Sequence, residues 1–297
     1  PIGYDAGIYK YSIEFGLKNL DNWIISGGIE PAFLYFVSFL NLFFSSDFIL
    51  IYLLILFSII LGISIYLLTK EFFGIKAGLI AFLIFSISIV QFKAFSYMYY
   101  KNILALSLML FCIYFLKKSE NSNLFFVIFI VFSGILAGIH RPTFYIFGLS
   151  YFFYLLLSPI NNSNKKYNFN LLYKNVFGGI LIILLGLFFY IGTFSRAIFS
   201  MIHPVLEGFI ETGNSPGTFI SFFEYKFLTL AYLPFAIFGF LFLIKQKKIN
   251  FLFYFFIVNF IIVYFQFFFF NRFLIHLDIA LIIFSGYGFS KLIENKK

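Results

Sequence analysis

The chain has 297 residues, 62% of them hydrophobic and only 11% charged, where a soluble domain carries about 25% charge. A soluble core of this size cannot hide so much apolar surface, so the mean hydropathy of +0.99 reads as a polytopic membrane protein and excludes a secreted disulfide scaffold, a cytosolic enzyme and a disordered regulator. The net charge of +9 and the lone cysteine, Cys112, add little. The charge lies in loops that argue against nucleic acid as a partner, and one cysteine supports neither a disulfide nor a Cys-based metal site. The 52 Phe residues read as compositional bias.

The opening, PIGYDAGIYK, is polar, and no apolar helix precedes it. Gly3 and Gly7 permit turns that could aim the Asp5 carboxylate into a cavity. Asp5 could equally cap a helix over YKYSIEFGL. Asp21, Trp23 and Glu30 follow, and Trp23 suits the headgroup level of a membrane. Residues 31–45 are apolar but too short to span, which fits a helix lying in the interface.

Candidate spans of about 20 apolar residues follow at 48–69, 77–96, 98–116, 123–140, 143–159, 176–195, 227–244, 250–270 and 274–293. Lipid offers the backbone no partner, so each should be a helix. The runs are continuous rather than alternating, which argues against a β-barrel. The expected fold is all-α: a single domain over 1–297, with a first outer loop at 1–47, about nine transmembrane helices across 48–293 and a long outer loop at 197–226.

The positive-inside rule orients this bundle. Loops at 70–76, 117–122, 160–175, 245–249 and 291–297 hold 13 of the 21 basic residues. Placed in the cytoplasm, with the C-terminus, they make a surface suited to anionic lipids. Nine of the 12 acids then fall outside: Asp5, Glu14, Asp21, Glu30, Asp47, Glu207, Glu211, Glu224 and Asp278. Either the outer face is simply solvated, or it carries a site built on carboxylates.

Four cations sit at outer helix ends: Lys93, Lys101, Arg141 and Arg272. They either snorkel to lipid headgroups or bind a phosphate, a role that suits Arg141 in the tight turn beside His140. If the last span is to cross, it must start near Phe273, which puts Asp278 inside the outer leaflet. An intramembrane carboxylate calls for a partner or a function, and an ion pair with a cation on another helix is one solution. Arg272 and His276 share a helix face, and Asp278 points elsewhere. His140, His203 and His276 are all outward but show no metal-ligand spacing.

P-x-G-x-D-x-G-x-Y, from Pro1 to Tyr9, resembles the first extracytoplasmic loop of GT-C membrane glycosyltransferases, the superfamily of protein O-mannosyltransferases and lipid A aminoarabinose transferases. EPAFLY, from Glu30 to Tyr35, looks like the Pro-containing entry to the next span, and Leu67 to Leu116 reads similarly in topology. In such enzymes a transmembrane helix precedes this loop, so the sequence is expected to lack an upstream segment.

The resemblance implies a hexosyl- or pentosyltransferase in the cell membrane. It would move a sugar from a polyprenyl-phosphate donor to a glycan, lipid or protein acceptor on the extracytoplasmic face, usually with inversion. By motif position Asp5 would be the base or would contact a divalent cation, Mg or Mn, with Glu30 or Asp21 a second acid. Tyr9, Lys93, Lys101, His140, Arg141, Arg272 and Asp278 would bind substrate. The competing classes are a transporter or flippase of lipid-linked glycans and another envelope polymerase or ligase. The long loop, with its flexible GNSPG turn, is expected to cover the acceptor site. Deleting Asn214 to Gly217 should therefore weaken acceptor affinity or turnover, and unchanged kinetics would count against that role.

Overall fold

The computed structural model describes residues 6–15, 30–161, 169–190, 220–247, 249–267 and 270–294. Among these residues the secondary structure is entirely helical. Two short helices come first, α1 (Ala6–Phe15) and α2 (Pro31–Leu40). The bundle follows: α3 (Ser46–Phe73), α4 (Ile75–Ile87), α5 (Ile89–Ser96), α6 (Tyr100–Lys118), α7 (Asn123–Ile139), α8 (Arg141–Asn161) and α9 (Phe169–Phe188). After these come α10 (Phe222–Leu228), α11 (Leu233–Lys245), α12 (Phe251–Tyr264), a 3-10 turn (Phe270–Phe273) and α13 (Leu274–Glu294).

Local chemistry sets the helix starts. The side chains of Ser45, Ser88, Ser221 and Asn250 each accept a backbone N–H from the first turn of α3, α5, α10 and α12. Pro31 and Pro234 occupy first-turn positions of α2 and α11, where a missing N–H costs nothing. Gly74 separates α3 from α4 at φ +97°, a backbone conformation that only glycine adopts without strain.

Over its described residues each of the nine apolar stretches is mainly helical, but not each is a single crossing. Among the described residues four helices are long and apolar enough to cross a membrane: Ser46–Phe73, Tyr100–Lys118, Asn170–Phe188 and Phe270–Glu294. The number rises to six if two bent pairs each count as one span. The stretch expected as one helix over 77–96 breaks at Ser88, where α4 and α5 meet at 53°. The Ser88 side chain takes the Gln91 N–H and so starts a new helix. The stretch expected over 227–244 is preceded by α10, set at 83° to α11. α2 is apolar and ten residues long, about 15 Å at 1.5 Å per residue, half of what a crossing needs.

The basic loops gather at one end. Lys118 pairs with Glu71 at 2.7 Å, Lys174 reaches the Ser119 carbonyl and the Asn123 side chain, and the Tyr287 hydroxyl lies 3.4 Å from Gln246 Oε1. Lys101, at the other end of α6 from Lys118, is about 25 Å away along the helix axis.

α13 is enclosed almost entirely and packs against α11, α4, α12 and α3. Small residues make this possible. A Cβ on Gly286 would lie 2.6 Å from the Ala77 carbonyl oxygen, and one on Gly239 2.8 Å from the Gly288 backbone N. A Cβ on Gly288 would overlap the Phe235 carbonyl. Lipid tails are as apolar as Leu, so helices associate through close packing of this kind. We expect Gly288→Leu to force α11 and α13 apart and lower stability by about 2 kcal/mol or more. Gly148→Ala, which has open space around it, should be neutral. Thermal unfolding of the purified protein in detergent checks both.

Candidate functional site

The carboxylate of Glu30 is the centre of the site. Glu30 precedes α2 but does not cap it. Its side chain, only 2% exposed, turns toward two other helix starts. Oε2 accepts from Lys101 Nζ at 2.8 Å, at the start of α6. Oε1 accepts the Arg141 backbone N–H at 3.2 Å and lies 3.7 Å from Arg141 Nε. Glu30 thus caps α8 from a distance and adds negative charge to the positive end of that helix dipole.

His140 is the one non-helical residue between α7 and α8, so Arg141 opens a helix where the sequence had it inside a short connection. The charges of Lys101, Arg272 and Arg141 all act on the buried His140 ring. Glu30 pairs with two of these three cations, Lys101 and Arg141. The charges of Glu30 and Arg141 also reach the hydroxyls of Tyr145 and Tyr190.

Below the cations lies a hydrogen-bonded chain of three buried side chains. His140 Nδ1 is 2.7 Å from Thr143 Oγ1, and Thr143 Oγ1 is 2.8 Å from His276 Nε2. Thr143 has no counterpart among the site residues expected from sequence. Its place three positions after His140, on the same helical face, was the available signal.

Tyr9 packs edge-on against Tyr100 (5.1 Å between ring centroids) and Phe33 (5.6 Å), and so touches the elements that carry Lys101 and Glu30. α1 is held there by Lys10–Asp47 at 2.7 Å and by the Ser46 hydroxyl donating to Glu14 at 2.5 Å. The motif carboxylate Asp5 lies outside the described residues, as do Asp21, His203, Glu207, Glu211 and most of the 197–226 loop. Among the described residues no three His, Cys, Asp or Glu side chains gather as metal ligands.

Lys93 and Asp278 belong to other groupings. Lys93, on α5, pairs with Glu224 on α10. Asp278 is fully buried, and its hydrogen-bond partners are neutral donors rather than a cation on another helix. Ser88 Oγ and Gln91 Nε2 donate to Oδ2 at 2.9 and 2.7 Å, and the Tyr232 hydroxyl donates to Oδ1. Ser88 sits in the α4–α5 break and Tyr232 in the α10–α11 break, so one carboxylate fastens both.

In comparison with known proteins, a family model described as dolichyl-phosphate-mannose-protein mannosyltransferase matches residues 30–190. The match starts at Glu30 and includes Lys101, His140, Arg141 and Thr143. No individual curated protein matches the chain.

The Asp278 arrangement gives a two-sided prediction. Asp278→Asn can still accept from Ser88 and Gln91 and donate to the Tyr232 oxygen, so it should cost about 1 kcal/mol or less. Asp278→Leu strands three buried donors at about 1–3 kcal/mol each and should lower the unfolding midpoint far more. Equal midpoints for the two variants would remove Asp278 as the fastening.

Proposed function

The chain belongs to the dolichyl-phosphate-mannose-protein mannosyltransferase family, a GT-C type of membrane glycosyltransferase, and from this we propose that it transfers a sugar from a polyprenyl-phosphate donor to an acceptor on the extracytoplasmic face of the cell membrane. The observation that carries the reading is the meeting of Lys101 and Arg141 at one buried carboxylate, Glu30, where three helix starts come together.

The chemistry requires positive charge near the donor phosphate. As the anomeric C–O bond to the phosphate breaks, its electron pair moves onto the phosphate oxygen, which gains charge in the transition state. Arg141 offers a planar fork of donors for phosphate oxygens, and Lys101 a compact charge. Glu30 holds both cations in place and keeps their charge tolerable before the donor arrives.

The acceptor hydroxyl attacks the anomeric carbon from the opposite side. Its proton passes to a carboxylate as the new bond forms, and the configuration inverts. Asp5, by its position in the opening motif, is the residue proposed for that proton, and Tyr9 follows it on the same segment. The oxocarbenium-like character of the transition state favours a carboxylate nearby. Holding a Mg or Mn ion is the other role open to Asp5, and turnover with and without a chelator separates the two. The acceptor is a glycan, lipid or protein hydroxyl, and the donor sugar is a hexose or pentose.

The test uses the full-length protein in lipid with a panel of polyprenyl-phosphate sugars, following sugar transfer or release. Wild type should turn over at least one donor, and Asp5→Asn should lower the rate by about a hundredfold or more, the scale of a general base, with folding intact. Equal rates would remove Asp5 from the chemistry. No turnover and no binding of any donor would overturn the reading in favour of transport.

A further inference from the structure

The geometry points to Thr143 as a positioning residue that locks the two arginine-bearing segments of the site to each other. This rests on the reading of the cation cluster as the seat of the donor phosphate. Thr143 is fully buried on α8, two residues after Arg141, and its side chain spans the gap to α13. Three hydrogen bonds define its role. The Thr143 backbone N–H points to His140 Nδ1 at 3.4 Å, the hydroxyl meets the same nitrogen at 2.7 Å, and the hydroxyl oxygen meets His276 Nε2 at 2.8 Å.

The Thr143 hydroxyl has one proton to give and oxygen lone pairs to receive, so it donates to one imidazole and accepts from the other. A single hydroxyl thus couples the tautomers and the orientations of both rings.

The consequence reaches the cations. His140 immediately precedes Arg141, and His276 lies four residues after Arg272, in the first turn of α13. The charges of Arg141 and Arg272 both act at the His140 ring. One belongs to the α7–α8 junction and the other to the 3-10 turn before α13. Their side chains act together on one phosphate only if the two segments hold a fixed spacing. The His140–Thr143–His276 chain is a direct side-chain link between those segments. Glu30, by contrast, ties Arg141 to α6.

Thr143→Val keeps the shape of the side chain and removes the hydroxyl; Thr143→Ser keeps the hydroxyl. The probe is polyprenyl phosphate without a sugar, titrated against the full-length protein in nanodiscs, alongside kcat and KM for a polyprenyl-phosphate sugar. Thr143→Val is expected to weaken polyprenyl-phosphate binding about tenfold, the equivalent of one buried hydrogen bond. KM should rise by a similar factor with a smaller change in kcat, and Thr143→Ser should restore both. Arg272→Gln should cost less in the Thr143→Val background than in wild type, because the two changes disable the same contact.

Wild-type affinity and KM in Thr143→Val, or strictly additive losses with Arg272→Gln, would overturn the assignment. So would the absence of polyprenyl-phosphate binding by wild type. If Thr143→Val does not fold, His276→Phe breaks the same link from α13 with the ring volume kept, and the same loss is expected there. A wild type that binds polyprenyl phosphate but transfers no sugar would sink the glycosyl-transfer reading, while the binding series would still decide the role of Thr143.

Discussion

The enclosure of α13 is the constraint on which the rest of the structure depends. A helix surrounded by other helices leaves no solvent for its polar side chains, so each must find a protein partner. α13 carries His276, Asp278 and Ser285 at buried positions, and each is tied to another element. His276 meets Thr143 on α8, Asp278 meets Ser88, Gln91 and Tyr232, and Ser285 donates to the Tyr232 carbonyl at 2.8 Å. The glycines that let α4 and α11 approach α13 so closely are also what bring these polar partners within reach.

The two helix breaks follow the same logic. Irregular backbone is tolerated in a membrane protein where it is buried against protein or lines a cavity. The α4–α5 and α10–α11 breaks both lie against α13, and their capping or terminal residues bind one carboxylate. The breaks turn α5 and α10 toward each other, and Lys93 and Glu224 meet across them. The Asp278 side chain is thus a structural fastening for the elements that carry the outlying ion pair.

The electrostatics of the site rest on a buried acid among cations. Glu30 joins the starts of α6 and α8 because its oxygens satisfy one lysine, one backbone N–H and the edge of one guanidinium. A buried carboxylate without those partners would be costly, and the cations without Glu30 would repel one another. Lys101, Arg141 and Arg272 lie at helix starts rather than along the middle of the bundle. That placement suits chemistry on a lipid-linked phosphate at the membrane surface better than a polar path through it.

The amino-acid sequence by itself determined the class and the helical fold. Long apolar runs with few charges leave the backbone no choice but helix, and the described parts of the Lys-rich loops fall together at one end of the bundle. The family resemblance was legible in a short local string, Pro1 to Tyr9, with EPAFLY from Glu30 to Tyr35 as looser support. What the tertiary structure alone decided was the pairing. Glu30 and Arg141 are 111 positions apart and Ser88 and Asp278 are 190 apart, distances over which composition and periodicity carry no information. Nor could hydropathy reveal the breaks at Ser88 and before Leu233. The residues on both sides are equally apolar, and a break becomes stable only when a buried partner such as Asp278 satisfies the groups that it frees.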